Sequence, residues 1–293
     1  MKKVILNIFT VLFLLSLTGC AANQAAESDA PKIIVTCPEI IPILDRLGVD
    51  GVVGIVETNE LPDRFKAVAQ IGSAKDLDLA AIEDLKPTLI LGSNRHEEQQ
   101  APLFIERDID SAFINLATTT EMMQSIRDLG PLIDQEEQSD KWVAEFQEFI
   151  QTYRNEVLDN ERPSVLILVG DQDGYHVANE TSPMGNLLKL AGGLNVLGSE
   201  YGDIYVAASE EAIKEANPDI ILRVPISMDD SIAVMFEQEF SHNEMWHNLD
   251  AVTNESVYDL PYQVFGTSLQ LDYQVAIVQL RGILYPLTNT NVE

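Results

Sequence analysis

Cysteine is almost absent, with two in 293 residues, Cys20 and Cys37. Cys20 lies in an apolar leader, so no disulfide framework is available and small stapled folds are excluded. Basic side chains are also scarce: 18 Lys and Arg stand against 47 Asp and Glu, a formal net charge of -29. Nucleic acid is excluded as a partner, since a polyanion needs lysine and arginine to displace its counterions. The acidic excess instead describes a well-solvated surface. Beyond the leader no segment reaches about eighteen consecutive apolar residues, so no later membrane-spanning helix is expected. Catalytic signatures are missing too. There is no Gly-x-Ser-x-Gly, no His-Glu-x-x-His, no phosphate loop and no dinucleotide fingerprint, and the chain reads as a non-enzyme.

The first twenty residues form an export leader: Lys2 and Lys3, the apolar stretch from Val4 to Leu17, then Leu17-Thr18-Gly19-Cys20. As a helix the apolar stretch spans about 21 Å, short of the roughly 30 Å hydrocarbon core. Leu-x-Gly-Cys resembles the lipobox of bacterial lipoproteins. That resemblance implies cleavage before Cys20, acylation of Cys20 and a place on the outer face of the cell membrane. Without its leader the chain carries 16 basic and 47 acidic side chains, a formal charge of minus 31.

Residues 21–31 are small, polar and aperiodic, as a flexible tether would be. The remainder is long enough for two domains. An N-terminal α/β lobe is predicted over 32–136. Its strands are Ile33–Thr36, Gly51–Val56, Thr88–Leu91 and Ala112–Leu116, and its helices Ile40–Leu47, Leu79–Leu85 and Thr118–Leu129. Strands separated by helices imply parallel pairing with crossover helices. Over 137–161, Trp142, Phe146, Phe149, Ile150, Tyr153 and Val157 recur at three- and four-residue steps. That spacing predicts one long helix with a single apolar stripe, capped at Ser139 and serving as the connector. The alternation then resumes over 162–293, with strands at Ser164–Val169, Tyr175–Ala178, Asp219–Arg223 and Val257–Leu260. Helices are predicted at Met184–Ala191, Glu210–Ala216, Ile232–Phe240 and Asp272–Tyr285.

Several segments carry a family resemblance: Arg64-Phe65-Lys66 with Ile71-Gly72, Ile82-Glu83-Asp84-Leu85-Lys86-Pro87-Thr88-Leu89-Ile90-Leu91, Leu187 to Val196, and Ala216 to Arg223. They are similar to the helical-backbone class of ABC-transporter solute-binding proteins, which takes up iron-siderophores, haem and cobalamin. The run from Met235 to Leu260, with Trp246, resembles the haem-receptor lipoproteins of the iron-regulated surface determinant system in Gram-positive bacteria. The resemblance implies two Rossmann-like α/β lobes, a single long connector helix, and a ligand cleft between the lobes at the carboxyl ends of strands, where open α/β sheets bind ligands. It also implies a monomer that works with an ABC permease and its ATPase, with haem or another iron or corrinoid complex as cargo and no catalytic cofactor.

In those haem receptors iron is held by a methionine from the first lobe and a histidine from the second. Alignment places Lys75 at the first position and Ile226 at the second. Neither is a good iron ligand at neutral pH, because the amine is protonated and the hydrocarbon has no donor. Three cargo readings stay open: haem held through other residues, a metal-saturated siderophore or corrinoid, or an unrelated small molecule.

Candidate ligand-binding residues are Tyr175, Met184, Met228, Lys75, Arg223, Arg95 and Cys37. Tyr175 matches a tyrosine of the haem receptors, and strand alternation sends its neighbour His176, a minor candidate metal ligand, to the opposite face. Met184 and Met228 suit flat apolar ligands but also suit cores. Arg223 and Arg95 follow strands and fit either an anionic ligand group or a salt bridge. Cys37 opens a helix, where a thiolate is favoured, or is a small residue on the cleft floor. His96, His242 and His247 read as surface residues. Asp171-Gln172-Asp173-Gly174 begins like a calcium loop, but its twelfth position is Ser182, and it reads as a solvated turn. The resemblance makes Glu39 a permease-docking carboxylate. Its second-lobe counterpart aligns near the uncharged Asn186, which leaves Glu180 as the candidate.

Overall fold

A computed structural model describes residues 30–58, 61–157, 160–198, 203–207, 209–266 and 271–286. The export leader, Cys20 and the first nine residues of the tether lie outside the described residues.

The first lobe starts with β1 (Ile33–Val35), α1 (Ile41–Leu47) and β2 (Val52–Ile55). Gly48, at φ 75°, ends α1 in the left-handed region that glycine tolerates best. Short β3 (Ala69–Gln70) leads into a hairpin of β4 (Gly72–Ser73) and β5 (Asp76–Leu77). Then come α2 (Leu79–Leu85), β6 (Leu89–Ser93), α3 (Glu97–Ile105), β7 (Ser111–Ile114) and α4 (Thr119–Leu129). The sheet runs in the order β3-β2-β1-β6-β7, and every neighbouring pair is parallel. Central β1 and β6 are buried along their whole length, as expected of parallel strands covered on both faces.

The connector α5 (Glu136–Val157) has 22 residues, about 33 Å of helix. Its stripe of Trp142, Val143, Phe146, Ile150, Tyr153 and Val157 is buried. Burying each large side chain contributes on the order of 1.5–3 kcal/mol. Ser139 is not the cap. The helix begins at Glu136, and Ser139 is buried inside it, its hydroxyl donating to the Glu136 carbonyl at 2.9 Å. Glu136 and Glu137 continue the helical turn N-terminally and suit the positive end of its dipole.

The second lobe contains β8 (Ser164–Gly170), β9 (Tyr175–Ala178), α6 (Pro183–Leu190), β10 (Leu194–Asn195), β11 (Tyr205–Val206), α7 (Glu210–Ala216) and β12 (Ile220–Pro225). It finishes with α8 (Asp230–His242), α9 (Asp250–Thr253), β13 (Val257–Asp259), α10 (Tyr262–Phe265) and α11 (Tyr273–Leu284). Its sheet runs β11-β9-β8-β12-β13 with β10 also against β8. β8, β10, β12 and β13 are parallel, whereas β9 runs antiparallel to both neighbours.

One apolar core continues from β1 and α1 through the stripe of α5 into β8, β12 and α11. Side-chain contacts fasten the connector to both lobes. The Arg46 guanidinium lies 4.1 Å over the Trp142 ring, and Phe146 meets Tyr273 edge-on at 4.9 Å. Separate clusters cover the outer sheet faces, one around Phe104 and Ile82 in the first lobe, the other around Trp246 and Phe236 in the second. Among the described residues no helix is long and apolar enough to cross a membrane.

Candidate functional site

In a parallel sheet the loops beyond the carboxyl ends converge on one edge, and that edge of each lobe carries the polar side chains of interest. In the first lobe the chain leaves β1 through Thr36 and Cys37. The Thr36 hydroxyl donates to Gln100 Oε1 at 2.7 Å, and Gln100 Nε2 donates to the Ala74 carbonyl at 3.1 Å. Gln100 is buried, so this chain of bonds ties the end of β1 to the β4–β5 turn that presents Lys75 to solvent. The turn is closed by the Asp76 amide donating to Ser73 Oγ at 3.1 Å.

Cys37 is buried, and its thiol donates to Glu39 Oε2 at 2.9 Å. Burial, and next the carboxylate of Glu39, push the thiol up to about 12, while the Arg95 charge opposes them. A thiol so placed is protonated at neutral pH, which opposes the thiolate reading, although Cys37 does precede a helical segment, as the N-cap of the 3-10 turn Pro38–Ile40 that runs into α1. Arg95 follows β6 in a 3-10 turn, exposed. Its charge also acts on Tyr205 of β11, whose hydroxyl is raised by burial and eased back by Arg95. Tyr205 belongs to no sequence motif; only the alternation Ile204-Tyr205-Val206 hints at its strand.

The second lobe brings a different set to its edge. The Ile226 amide donates to the Gly170 carbonyl at 2.9 Å, docking the β12–α8 loop on the end of β8. Ile226 is 41% and Met228 66% exposed, large apolar groups facing solvent. Gln263 Nε2 lies 3.7 Å from the Met228 sulfur, and Gln172 Nε2 donates to Asp229 Oδ2 at 2.5 Å. Asp229 also caps α8, and these bonds hold its carboxyl below the usual range.

Tyr175 does not stand free. It stacks on Phe236 at 6.4 Å and meets Trp246 at 5.8 Å, and burial, then the charges of Glu239 and Glu210, raise its hydroxyl to about 12. Alternation puts it with Val177 in the outer cluster, while His176 is exposed on the other face. Arg223 is engaged by Asp259 through Nε and Nη2 and lies 4.9 Å from the Phe240 ring centre, so it is a salt bridge inside the lobe. Met184 is 4% exposed and part of the main core. Sequence alone could not separate these roles, because an arginine after a strand or a methionine before a helix suits either.

The lobes meet directly where Asn186 Nδ2 of α6 donates to the Thr120 hydroxyl of α4 at 3.2 Å. Thr118 caps this helix start, its hydroxyl accepting from the Glu121 amide at 3.2 Å and lying 2.9 Å from the Glu121 carboxylate. Glu39 is half-buried, and Glu180 is paired with Lys189. His242 Nδ1 lies 2.8 Å from the Gln238 carbonyl and His247 Nε2 3.0 Å from the Phe240 carbonyl, local contacts of exposed residues. His96 is half-buried. Asp171 Oδ1 accepts from the amides of Asp173 and Gly174 at 2.8 and 3.0 Å, a turn and not an ion loop. Among the described residues no group of three or more His, Cys, Asp or Glu side chains is placed to hold a metal.

Comparison with known proteins agrees with this architecture. The chain is 29% identical over 285 residues to the high-affinity heme uptake system protein IsdE of Staphylococcus aureus, covering 97% of each. A solved ABC transporter substrate-binding protein from Listeria monocytogenes is 34% identical, superposes with a TM-score of 0.77, and is matched over 87% of this chain and 99% of that one. S. aureus IsdE complexed with heme superposes at 0.74 with 31% identity, again over 87% and 99%. The model of the periplasmic binding protein family matches residues 33–264, and this chain belongs to that family.

Proposed function

We propose that this chain is the solute-binding lipoprotein of an ABC importer, which captures haem or another iron or tetrapyrrole complex between its lobes and delivers it to a permease driven by an ATPase. The observation that carries this reading is the likeness to IsdE along nearly the whole of both chains, together with its likeness to the heme complex of IsdE. The cargo is carried, not converted. Lys75 and Arg95 from the first lobe and Met228 from the second are exposed at the strand ends, where they would meet an anionic, flat ligand. Glu39 and Glu180 are the acids offered to the permease. Acylated Cys20 would hold a monomer on the outer face of the membrane by its tether.

A metal-saturated siderophore or corrinoid is the second reading. It is favoured by Ile226, a partly exposed hydrocarbon at the position aligned with the receptor histidine. The deciding experiment is titration of the protein lacking its leader with haem, read as a Soret band and by native mass spectrometry. A one-to-one complex with a shifted band supports haem. No band, with thermal stabilisation by a corrinoid or ferric siderophore, moves the assignment to the second reading, and no response to any of them overturns both. Palmitate labelling that disappears in Cys20→Ala tests the anchor.

A further inference from the structure

A cavity of about 350 Å³ opens near the amino-terminal end of β8. It is lined by Arg154 and Val157 at the end of α5, Arg162 just before β8, Lys189 and Leu190 at the end of α6, and Tyr285 after α11. All of these flank the amino-terminal end of β8, whereas the cleft lies beyond its carboxyl end at Gly170.

Its charge is out of character for the chain. The protein has an acidic excess, and six of its nine arginines have a carboxylate within ion-pair distance among the described residues. The other three are Arg95, exposed in the turn after β6, and the two that share this cavity. Arg154 is exposed and makes no ion pair or hydrogen bond among the described residues. Arg162 donates Nε to the Gly192 carbonyl and Nη2 to the Gly193 carbonyl, each at 2.8 Å. Those neutral acceptors fix the guanidinium in place without cancelling its charge. A guanidinium has five N–H donors, so the group keeps donors for another partner. The Tyr285 hydroxyl donates to the same Gly192 carbonyl at 3.0 Å, orienting the ring at the rim. Among the described acids nearby, Glu180 is engaged by Lys189 and Glu156 by Arg281, while Glu161 is exposed and has no ion pair with Arg162.

We propose that this cavity binds an organic phosphate, with Arg154 and Arg162 holding the phosphate oxygens and Val157 and Leu190 facing the carbon part of the ligand. Two uncompensated guanidiniums suit a phosphate better than a lone carboxylate, and arginine matches phosphate geometry through paired N–H groups. The volume exceeds what inorganic phosphate needs and suits a small ester such as glycerol phosphate. That group occurs free in solution and as the head of an anionic lipid.

The test uses the whole chain without its leader. Glycerol 3-phosphate is titrated by calorimetry, with glycerate as the carboxylate comparison, and co-sedimentation is measured with phosphatidylglycerol and phosphatidylcholine vesicles. Saturable binding of the ester that is at least about tenfold weaker in Arg154→Gln is expected. Lys141→Gln, on the same helix but away from the cavity, should bind like the parent. Because Arg154 has no partner to lose among the described residues, its variant should melt at the parent temperature, which separates a lost contact from a lost fold. Vesicle binding lost in Arg154→Gln, without binding of the free ester, would identify the lipid head group as the source. Absence of binding in both arms, equal affinity for glycerate, or equal loss in Lys141→Gln would overturn the proposal.

Discussion

The Tyr153 hydroxyl donates to the Ala191 carbonyl at 2.8 Å, fastening the connector helix to the end of α6 in the second lobe. Both residues are buried, so Tyr153→Phe removes the donor and strands an acceptor away from water. The ring contact with Phe149, at 6.3 Å, is kept. The loss should be about 1–3 kcal/mol, read as a lower denaturant midpoint with unchanged slope. A changed slope would mean that the lobes no longer unfold together.

At the other end of the connector, Gly130 and Ser139 are packed so closely that a Cβ on Gly130 would overlap the Ser139 hydroxyl and lie 3.0 Å from its Cβ. Gly130→Ala should destabilise by about 1–3 kcal/mol through overpacking. Combining it with Ser139→Ala should recover part of the loss, since the hydroxyl is the nearest obstacle. Thermal melts of the two single variants and the double variant measure that coupling; simple additivity would refute it.

Much of this fold was legible because parallel α/β sequences announce themselves. Ile33-Ile34-Val35 and Val165 to Val169 are short unbroken apolar runs, and the stripe from Trp142 to Val157 keeps one helical face over about four turns. Helix α3 was not legible. Its buried residues are Gln100 and Phe104, so half of its inward face is polar, and Pro102 sits inside it. Strands β3, β4, β5, β10 and β11 have two residues each, too short for any alternation to show. At the site, Arg95 was legible as a residue after a strand, whereas Lys75 and Met228 were reached only through the alignment with the haem receptors. Tyr205 and Gln100 were not legible, because long-range neighbours define them. Arg223 and Tyr175 have their partners, Asp259, Phe236 and Trp246, supplied from other elements, which a local reading cannot weigh against a ligand.

The buried Cys37 thiol makes stability fall at alkaline pH. Its folded pKa is raised from 9.0 to about 12, so between those values the folded chain keeps a proton that the unfolded chain has lost. Unfolding then releases a proton, and stability decreases as pH rises through about 9 to 12. Tyr153 and Tyr175, each raised to about 12, add to the same trend at somewhat higher pH. Denaturation series at pH 7.5 to about 10.5 should show the decline, and Cys37→Ala should flatten its first part. In the native protein the thiol should resist alkylation at about pH 8 and react only after unfolding.

The sharpest test of the cleft lies at Ile226 and Lys75. Ile226 is held by its backbone bond to Gly170 and partly exposed, so a polar side chain can replace it without opening the core. If haem occupies the cleft as proposed, Ile226→His supplies a neutral imidazole at the strand end, a far better iron donor than a hydrocarbon. The Soret band of the haem complex should sharpen and shift, and haem dissociation should slow by about tenfold or more, worth roughly 1.4 kcal/mol. Lys75→Met alone should change the spectrum less, because the bonds from Gln100 fix its turn but leave its side chain in solvent. With both substitutions the spectrum should become that of a histidine–methionine pair. A spectrum indifferent to all three variants would show that iron does not approach this edge, and would leave the metal-saturated cargo as the better reading.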